Sequence, residues 1–307
     1  MKTKTPPYLK IGDTIGLVCP AGYMPLEKVQ DCINALESWG YKVKTGSTIG
    51  GPSVNYFSGT DEERLADLQN MLDDKNIHAV MCARGGYGMS RIIDQVSFKI
   101  FKKNPKWIIG FSDITVMHSH IFSNYGIATL HAPMAAAFQD NEYQNPYVQS
   151  LKKALEGEIA NYSCSTHALN RQGKARGALV GGNLALLAHC VGTDSDINTK
   201  GKILFLEDIG EYLYNIDRMM NQLKRSGKLD KLAGLVIGKF SDNKDTDRPI
   251  GKNVYDIIYE WVKDFDYPVC FDFPVSHEKE NYAMKVGGRY LLEVKKEEVI
   301  LQEDRKK

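Results

Sequence analysis

Short apolar segments alternate with helical segments through the first half of the chain, and this alternation most constrains the fold. Each apolar segment has the length of a buried strand, and the intervening segments carry apolar residues at helical spacing. The predicted strands are 13–19, 41–44, 77–83, 106–110 and 128–130, and the predicted helices are 26–39, 60–72, 89–93, 114–125 and 147–155. Such an alternation predicts a mostly parallel sheet with helices on both faces.

The pattern changes after the last of these helices. Glycine, serine and asparagine interrupt the next twenty residues, and little apolar periodicity remains. We therefore predict an N-terminal α/β domain at 1–160, a linker at 161–176 and a C-terminal domain at 177–307. In the C-terminal part the predicted strands are 178–180, 202–206, 232–238, 269–271, 284–286 and 291–301, and the predicted helices are 184–190, 214–224 and 254–261.

The composition excludes several functional classes. The 307 residues carry a net charge of +1, so no strong field favours nucleic acid or an anionic membrane as a partner. No stretch approaches the ~20 apolar residues of a membrane helix, and no secretory signal follows the basic N-terminus. The six scattered cysteines form no Cys-x-x-Cys pair, which favours reduced thiols, a cytoplasmic location and no zinc site.

One strand end has the form of a nucleophile turn. The apolar strand ends at Gly110, Ser112 follows, and a helical segment comes next. α/β enzymes expose a nucleophile at the carboxyl edge of their sheet in this way. However, the second glycine of the usual motif is replaced by Ile114. Taken alone, the stretch therefore favours a helix cap at Ser112 or Asp113. A cap and a nucleophile need not compete, because Asp113 and Thr115 can satisfy the start of the helix while Ser112 stays exposed.

A glycine-rich turn, Arg84-Gly-Gly-Tyr-Gly88, directly follows the strand at 77–83. Such a turn between a strand and a helix offers backbone N–H groups to an anion or a developing oxyanion. The spacing is not that of a dinucleotide loop, so we expect no nucleotide cofactor. The alternative is a tight turn that needs positive φ angles.

Two polar residues of the C-terminal part occupy comparable positions. Glu207 ends a predicted strand, and His277 follows another in a proline-containing loop. With Ser112 they supply the hydroxyl, imidazole and carboxylate that a serine hydrolase needs. Each residue alone is weak evidence, because a lone histidine after a strand is more often a surface or capping group.

Six motifs add a stronger signal. They are Arg84–Gly88, Ile109–Thr115, His131–Met134, Gly181–Leu184, Leu204–Asp208 with Tyr214–Arg218, and Phe273–His277. In this order and spacing, over nearly the whole chain, they closely resemble the L,D-carboxypeptidase family, serine peptidases whose best-known members are the muramoyltetrapeptide carboxypeptidases.

The resemblance implies a catalytic Ser–Glu–His set. Ser112 would be the nucleophile, His277 the general base and then acid, and Glu207 the orienting carboxylate. It also implies a Rossmann-like N-terminal domain, a smaller β-rich C-terminal domain, and an active site in the groove between them. The backbone N–H groups of Asp113 and Gly86 are the expected oxyanion hole.

Several residues compete with these assignments. Glu211, four residues after Glu207, is the rival carboxylate, although Glu207 follows its strand directly and is the more rigidly placed. His118, His120 and His131 are the rival bases. The two-residue spacing of His118 and His120 points them to different sides of a helix, which argues against a joint metal site.

The family implies a function and a substrate. We expect the release of the terminal D-alanine from murein tetrapeptides in cell-wall recycling, without metal or cofactor, by a possible homodimer. Arg84, with Gly85, is the candidate for binding the peptide carboxylate; the alternative is an ion pair of Arg84 with Asp94 or Asp113. Competing functions are a microcin-immunity-type peptidase that cleaves peptidyl–nucleotide conjugates, and a non-catalytic binding protein. The short segment between Ser112 and Glu207 favours the cell-wall activity.

Overall fold

Two β-sheets organise the chain. The structure, a computed structural model, describes residues 3–53 and 55–305. The strands of this part are β1 (Thr14–Val18), β2 (Lys42–Thr45), β3 (Ala79–Cys82), β4 (Trp107–Gly110), β5 (Thr129–His131), β6 (Asn161–Cys164), β7 (Gly173–Asn183), β8 (Ile203–Ile209), β9 (Gly234–Ser241), β10 (Val269–Cys270), β11 (Met284–Val286), β12 (Arg289–Val294) and β13 (Val299–Glu303).

Helices cover the sheets. The α-helices of the described part are α1 (Gln30–Ser38), α2 (Asp61–Asp73), α3 (Met89–Ile92), α4 (Lys99–Lys103), α5 (Thr115–Tyr125), α6 (Pro146–Glu156), α7 (Leu184–Cys190), α8 (Leu213–Arg225) and α9 (Val254–Val262). Short 3-10 helices lie at Leu26–Lys28, Ile93–Gln95, Ser112–Ile114 and Ala135–Gln144. None of the helices in 3–53 and 55–305 is long and apolar enough to span a bilayer.

The first sheet has the strand order β11-β5-β4-β3-β1-β2. Its strands β1 to β5 are parallel, as the strand–helix alternation predicts, and β11 is antiparallel. Side chains of β4 show how both faces are buried: Trp107 and Ile109 enter one hydrophobic core, and Ile108 enters the core on the opposite face. Burial on both faces explains why these strands read as nearly continuous apolar runs.

The second sheet has the strand order β10-β9-β8-β7-β12-β13-β6. The four strands from β10 to β7 are parallel, and the remaining three are antiparallel. Helices α7, α8 and α9 pack on one face, where residues such as Leu204 and Met220 form a third core. The chain is therefore a two-part α/β protein, as predicted, with a Rossmann-like first part and a β-rich second part.

Two details differ from the sequence prediction. The segment 161–176 is not an irregular linker, because it contains β6 and the first residues of β7, both in the second sheet. β6 is the edge strand of this sheet, and both β6 and the first residues of β7 have more exposed than buried residues, so they lack the apolar runs that marked the others. Strand β11, expected in the C-terminal domain, instead pairs with β5 of the first sheet, where Met284 lies opposite His131. The domain boundaries themselves stay a prediction.

A buried ion pair joins the two sheets. Lys285 of β11 donates a hydrogen bond of 2.8 Å to Glu303 of β13, and their side chains are 3% and 7% exposed. The ammonium also donates to the carbonyl of Glu158 at 3.3 Å. Glu303 also accepts hydrogen bonds of 2.8 and 3.1 Å from Arg305, whereas Glu303 is the carboxylate that pairs with Lys285 among the described residues. Because water barely reaches the ammonium of Lys285, its charge depends on Glu303 for compensation.

Glu303→Gln is expected to destabilise the protein by about 3 kcal/mol, because it leaves the ammonium of Lys285 buried without a counter-charge. Urea unfolding followed by circular dichroism measures this difference. The double variant Lys285→Met/Glu303→Leu is the control, and it should recover most of the lost stability. A Glu303→Gln protein as stable as the wild type would contradict the importance of this pair.

Candidate active site

Ser112 stands on a strained turn between β4 and α5. Its φ angle is +62°, in the left-handed region that non-glycine residues rarely adopt. Such strain costs about 1–3 kcal/mol and persists only where the surroundings enforce it. The strand, sharp turn and helix match the geometry in which α/β enzymes present a nucleophile, although the second glycine is absent.

The residues expected to cap the helix after Ser112 do something else. Neither the 3-10 helix at Ser112–Ile114 nor α5 has a side-chain cap. Asp113 accepts a hydrogen bond of 2.7 Å from the N–H of Met89, at the start of α3. Thr115 accepts one of 3.1 Å from the N–H of Asn183 in the second sheet. Prediction of a local cap was wrong because tertiary partners compete for both side chains.

Asp113 thereby ties the turn at Ser112 to the glycine-rich turn at Arg84–Gly88. Burial raises the pKa of Asp113 to about 6, although the N–H of Met89 and the nearby Arg64 act in the opposite direction. Arg64 is itself fully buried and donates to the carbonyls of Pro20 and Gly88, at 2.6 and 3.1 Å. The end of the glycine-rich turn is therefore held by two side chains: Arg64 bonds to the carbonyl of Gly88, and Asp113 bonds to the N–H of Met89.

Gly85 of this turn lies against Ser112. A Cβ at Gly85 would stand 2.9 Å from the Cβ of Ser112, 3.2 Å from its Oγ and 3.3 Å from the backbone nitrogen of Asp113. The neighbouring Gly86 has a φ of +99°. Glycine at 85 is required for this close approach, which brings its backbone to the side chain of Ser112.

Glu207 and His277 form a buried pair. Nδ1 of His277 lies 2.6 Å from Oε2 of Glu207, whose side chain is fully buried, and the side chain of His277 is 12% exposed. Among the described residues, Nε2 of His277 has no hydrogen-bond partner. The hydroxyl of Ser112 is thus not bonded to it here, and in substrate-free enzymes such bonds often tighten only with substrate.

The pair has the electrostatics of a base with an orienting carboxylate. Burial lowers the pKa of His277, but the charge of Glu207 and the hydrogen bond to it outweigh this and raise the pKa above its ordinary value. In the neutral imidazole, a proton on Nδ1 is donated to the carboxylate of Glu207, and Nε2 then carries the free lone pair. The imidazole can therefore accept a proton at Nε2.

The strand that carries Glu207 is irregular at this residue. Leu206 of β8 pairs with Ile237, but Asp208 pairs with Phe240, so β9 has an extra residue opposite Glu207. Bulges of this kind re-aim a side chain and are common next to active sites. A Cβ on Gly238 of β9 would overlap the carbonyl of Val275, which lies two residues before His277. Glycine here lets the loop of His277 approach the strand.

The loop of His277 connects the two sheets. It runs from β10 of the second sheet to β11 of the first. The hydroxyl of Ser276 donates to the carbonyl of Glu280 and accepts from the N–H of Glu278, both at 2.9 Å. The ring of Phe111, the residue before Ser112, meets the imidazole of His277 edge-on at a centroid distance of 4.8 Å. The loop therefore brings His277 to the turn of Ser112.

A cavity of about 610 Å³ opens beside His277 and Phe111. Its wall has contributions from the glycine-rich turn, from the segment after β5 and from the loop of His277. The lining residues are Met24, Lys28, Ala83, Arg84, Phe111, Pro133, Met134, Ala136, Ala137, Gln139, Glu142, Asn145, His277, Glu278, Lys279 and Asn281. No sequence pattern indicates Lys28, Glu142 or Lys279, because they meet here only through the tertiary fold.

Arg84 lies in this wall. Its side chain is exposed and donates to the carbonyl of Tyr23 at 2.6 Å. Within the described ranges no ion pair joins it to Asp94 or Asp113, which were the alternative partners. The guanidinium keeps further donors for a group in the cavity.

The rival residues lie elsewhere. Glu211 accepts a hydrogen bond of 2.7 Å from Asn215, whereas the partner of His277 is Glu207. His118 contacts the carbonyl of Gly110 at 2.8 Å, and burial lowers its pKa to about 4.

His120 and His131, the other two rival bases, contact different parts of the structure. His120 faces Ser195, on the opposite side from His118. His131 is fully buried between the rings of Phe111 and Phe205. No cluster of potential metal ligands exists in 3–53 and 55–305, and the cysteines are free thiols.

Comparison with known proteins assigns the chain to a class of peptidase. The LD-carboxypeptidase N-terminal domain matches residues 15–132, and the LD-carboxypeptidase C-terminal domain matches residues 176–292. The chain therefore belongs to the LD-carboxypeptidase family, and the family resemblance seen in its motifs is confirmed.

Individual relatives cover nearly the full length. A probable murein peptide carboxypeptidase of Bacillus subtilis is 34% identical over 97% of this chain and 94% of its own. The murein tetrapeptide carboxypeptidase of Pseudomonas aeruginosa is 28% identical over 92% and 94%. The crystal structure of muramoyltetrapeptide carboxypeptidase from Oxalobacter formigenes superimposes with a TM-score of 0.85 at 29% identity, over 94% and 98%. The Microcin C7 self-immunity protein MccF of Escherichia coli is more distant, at 24% identity over 96% and 94%.

The pKa of His277 should lie above 6.5 in the wild type and fall below it in Glu207→Gln, because the charge and hydrogen bond of Glu207 are lost and the smaller effect of Asp208 does not offset burial. NMR titration of the histidine ring signals measures both values. Glu211→Gln is the matched control and should leave the titration of His277 unchanged. Equal titration curves for the wild type and Glu207→Gln would contradict the pairing.

Proposed function

We propose that this protein is a serine-type L,D-carboxypeptidase that releases the terminal D-alanine of murein tetrapeptides. The observation that carries the proposal is the buried Glu207–His277 pair beside the strained turn of Ser112, at the mouth of a cavity. The names of the full-length relatives support the substrate class. The cytoplasmic location and the homodimer implied by the family stay predictions.

The first half of the reaction forms an acyl-enzyme. Nε2 of His277 takes the proton of the Ser112 hydroxyl while Oγ attacks the carbonyl carbon before the D-alanine. Glu207 stabilises the imidazolium and keeps Nδ1 protonated. The oxyanion of the tetrahedral intermediate accepts hydrogen bonds from the backbone N–H groups of Asp113 and Gly86. His277 then returns the proton to the amine of the leaving D-alanine.

The second half hydrolyses the acyl-enzyme. Water enters in place of D-alanine, gives a proton to His277 and attacks the ester carbonyl, and Ser112 leaves with the proton. Since the base must be neutral, kcat/KM falls as the pH drops through the pKa of His277. The raised pKa of His277 moves this loss of activity to a higher pH than an isolated histidine would give.

Cationic side chains in the cavity wall suit a peptide with several carboxylates. Lys28 and Arg84 line the same cavity as His277, where the ammonium of Lys279 is already paired with Glu142 at 2.6 Å. We assign Arg84 to the terminal carboxylate, because it stands at the start of the glycine-rich turn and has donors beyond its bond to Tyr23. The close backbone of Gly85 would help to seat this end of the peptide.

Ser112→Ala should abolish the release of D-alanine from a purified murein tetrapeptide, measured by chromatography of the products. Ser119→Ala, in the same helix α5, is the control, because its buried hydroxyl has no partner within the described residues; it should retain activity. Undiminished release by Ser112→Ala would falsify the proposal. Release from a peptidyl–nucleotide conjugate, with none from the tetrapeptide, would favour the microcin-immunity-type activity instead.

Gly85→Ala should lower kcat by about 10²-fold or more, because the added methyl group would displace Ser112 and the oxyanion donor beside it. Gly192→Ala is the control: it has a φ of +83° but open space around it, so it adds comparable or greater backbone strain far from the site. Steady-state kinetics on the tetrapeptide measures the difference. A fully active Gly85→Ala protein would overturn the close approach as a catalytic requirement.

A further inference from the structure

A buried chain of hydrogen bonds joins the helix after Ser112 to the strand that carries Glu207. This hydrogen-bond network consists of Thr115, Asn183 and Asp208, and we call it the Thr115 clamp. We propose that the Thr115 clamp sets the position of Ser112 relative to the Glu207–His277 pair. The inference rests on the proposed function, since the clamp matters to activity only if Ser112 and His277 react together.

The clamp begins at the first residue of α5. Thr115 is fully buried, and its Oγ1 accepts the N–H of Asn183 at 3.1 Å. Thr115 belongs to the first part of the chain and lies three residues after Ser112, whereas Asn183 ends β7 of the second sheet. The bond therefore links the nucleophile turn directly to the other sheet.

Gly182 makes this contact possible. Its φ is +139°, and a Cβ there would stand 2.5 Å from Oγ1 of Thr115. A side chain at 182 would push β7 and α5 apart by overlapping the hydroxyl. Gly182 thus lets β7 reach the helix of the nucleophile, whereas its neighbour Gly181 lets β7 lie close to Phe205 of β8.

The clamp continues through the side chain of Asn183. Its Nδ2 donates to Oδ1 of Asp208 at 2.8 Å, and its Oδ1 accepts from the N–H of Leu186 at 3.2 Å. Asp208 also accepts from the N–H groups of Ile209 and Ala185, at 2.8 and 2.9 Å. Its carboxylate is 2% exposed and adjoins Glu207 on β8.

The three donors fix Asp208 as an acceptor. Burial and the neighbouring Glu207 raise the pKa of Asp208 to about 7, while these hydrogen bonds act in the opposite direction. In its ionised form Asp208 also contributes to raising the pKa of His277. Asp208 thus connects the clamp to His277 in two ways. It is the chain neighbour of Glu207, which bonds to His277, and its negative charge acts on the imidazole.

Variants of Thr115 test whether its hydroxyl positions Ser112 or only stabilises the fold. Thr115→Val keeps the shape of the side chain but leaves the N–H of Asn183 without its acceptor. Thr115→Ser keeps the hydroxyl and is the matched control. We expect kcat to fall 10–100-fold in Thr115→Val with KM changed by less than threefold, and Thr115→Ser to stay within threefold of the wild type, because small misplacements of a reacting group carry large rate costs.

A second readout does not depend on the natural substrate. A fluorophosphonate reagent forms a bond from Ser112 Oγ to phosphorus and releases fluoride, while His277 takes the proton of the hydroxyl, so its labelling rate reports the reactivity of Ser112 without the peptide. The rate should fall 10–100-fold in Thr115→Val and little in Thr115→Ser. All proteins are assayed below the onset of their thermal unfolding, and Thr115→Ala replaces Thr115→Val if the latter does not fold.

The outcomes separate the clamp from the proposed function. Equal labelling of the wild type, Thr115→Val and Thr115→Ser would overturn the clamp and leave Ser112 as the nucleophile. Absence of labelling in the wild type would overturn the nucleophile assignment and the clamp with it. If labelling is slow in Thr115→Val and normal in Thr115→Ser, but no protein releases D-alanine, the clamp would be retained and the murein substrate rejected.

Discussion

The hydrogen bond between His277 and Glu207 is the interaction on which the arrangement of the whole molecule depends. A fully buried carboxylate is costly unless a partner compensates it, and the described partner of Glu207 is the imidazole at 2.6 Å. That imidazole lies on a loop whose two ends belong to different sheets, β10 and β11. Correct pairing therefore requires both sheets to be in place, and the same packing brings Phe111 and Ser112 to the histidine.

Strand β11 explains how a loop can hold a base so firmly. Loops are ordinarily more mobile than the elements they connect. Here the segment after His277 is held by hydrogen bonds between the hydroxyl of Ser276 and the backbone of Glu278 and Glu280, and it joins the edge of the first sheet at Met284. The next residue, Lys285, forms the buried ion pair with Glu303 of the second sheet. The segment after the base is thus fastened to both sheets within ten residues.

The sequence predicted those features that depend on local pattern. Apolar runs identified β1, β3 and β4, and the helix predicted at 60–72 corresponds to α2, which starts with a Thr60–Glu63 capping box. Ser112 and His277 stand out because each follows a strand, Glu207 stands at the end of a predicted strand and lies within β8 in the structure, and the family motifs single out all three.

What depends on distant partners was missed. Asp113 and Thr115 have the residue types of helix caps, but their bonds go to Met89 and Asn183. β11 is three residues long, and nothing local says which sheet it joins. Local propensity is a weak guide wherever tertiary contacts offer a better partner.

The strained φ of Ser112 explains why those two cap predictions had to fail. A glycine would adopt a φ of +62° more easily, but only a residue with a side chain can be a nucleophile. The strain must then be imposed by the neighbours of Ser112. Asp113 fixes the turn against α3 of the first part, and Thr115 fixes it against β7 of the second. Had these side chains capped their own helix, the turn would be held only by local bonds and could relax toward an ordinary helix start. Because they bond outward, relaxation would break contacts to two other segments, and the serine stays at the junction of the two sheets.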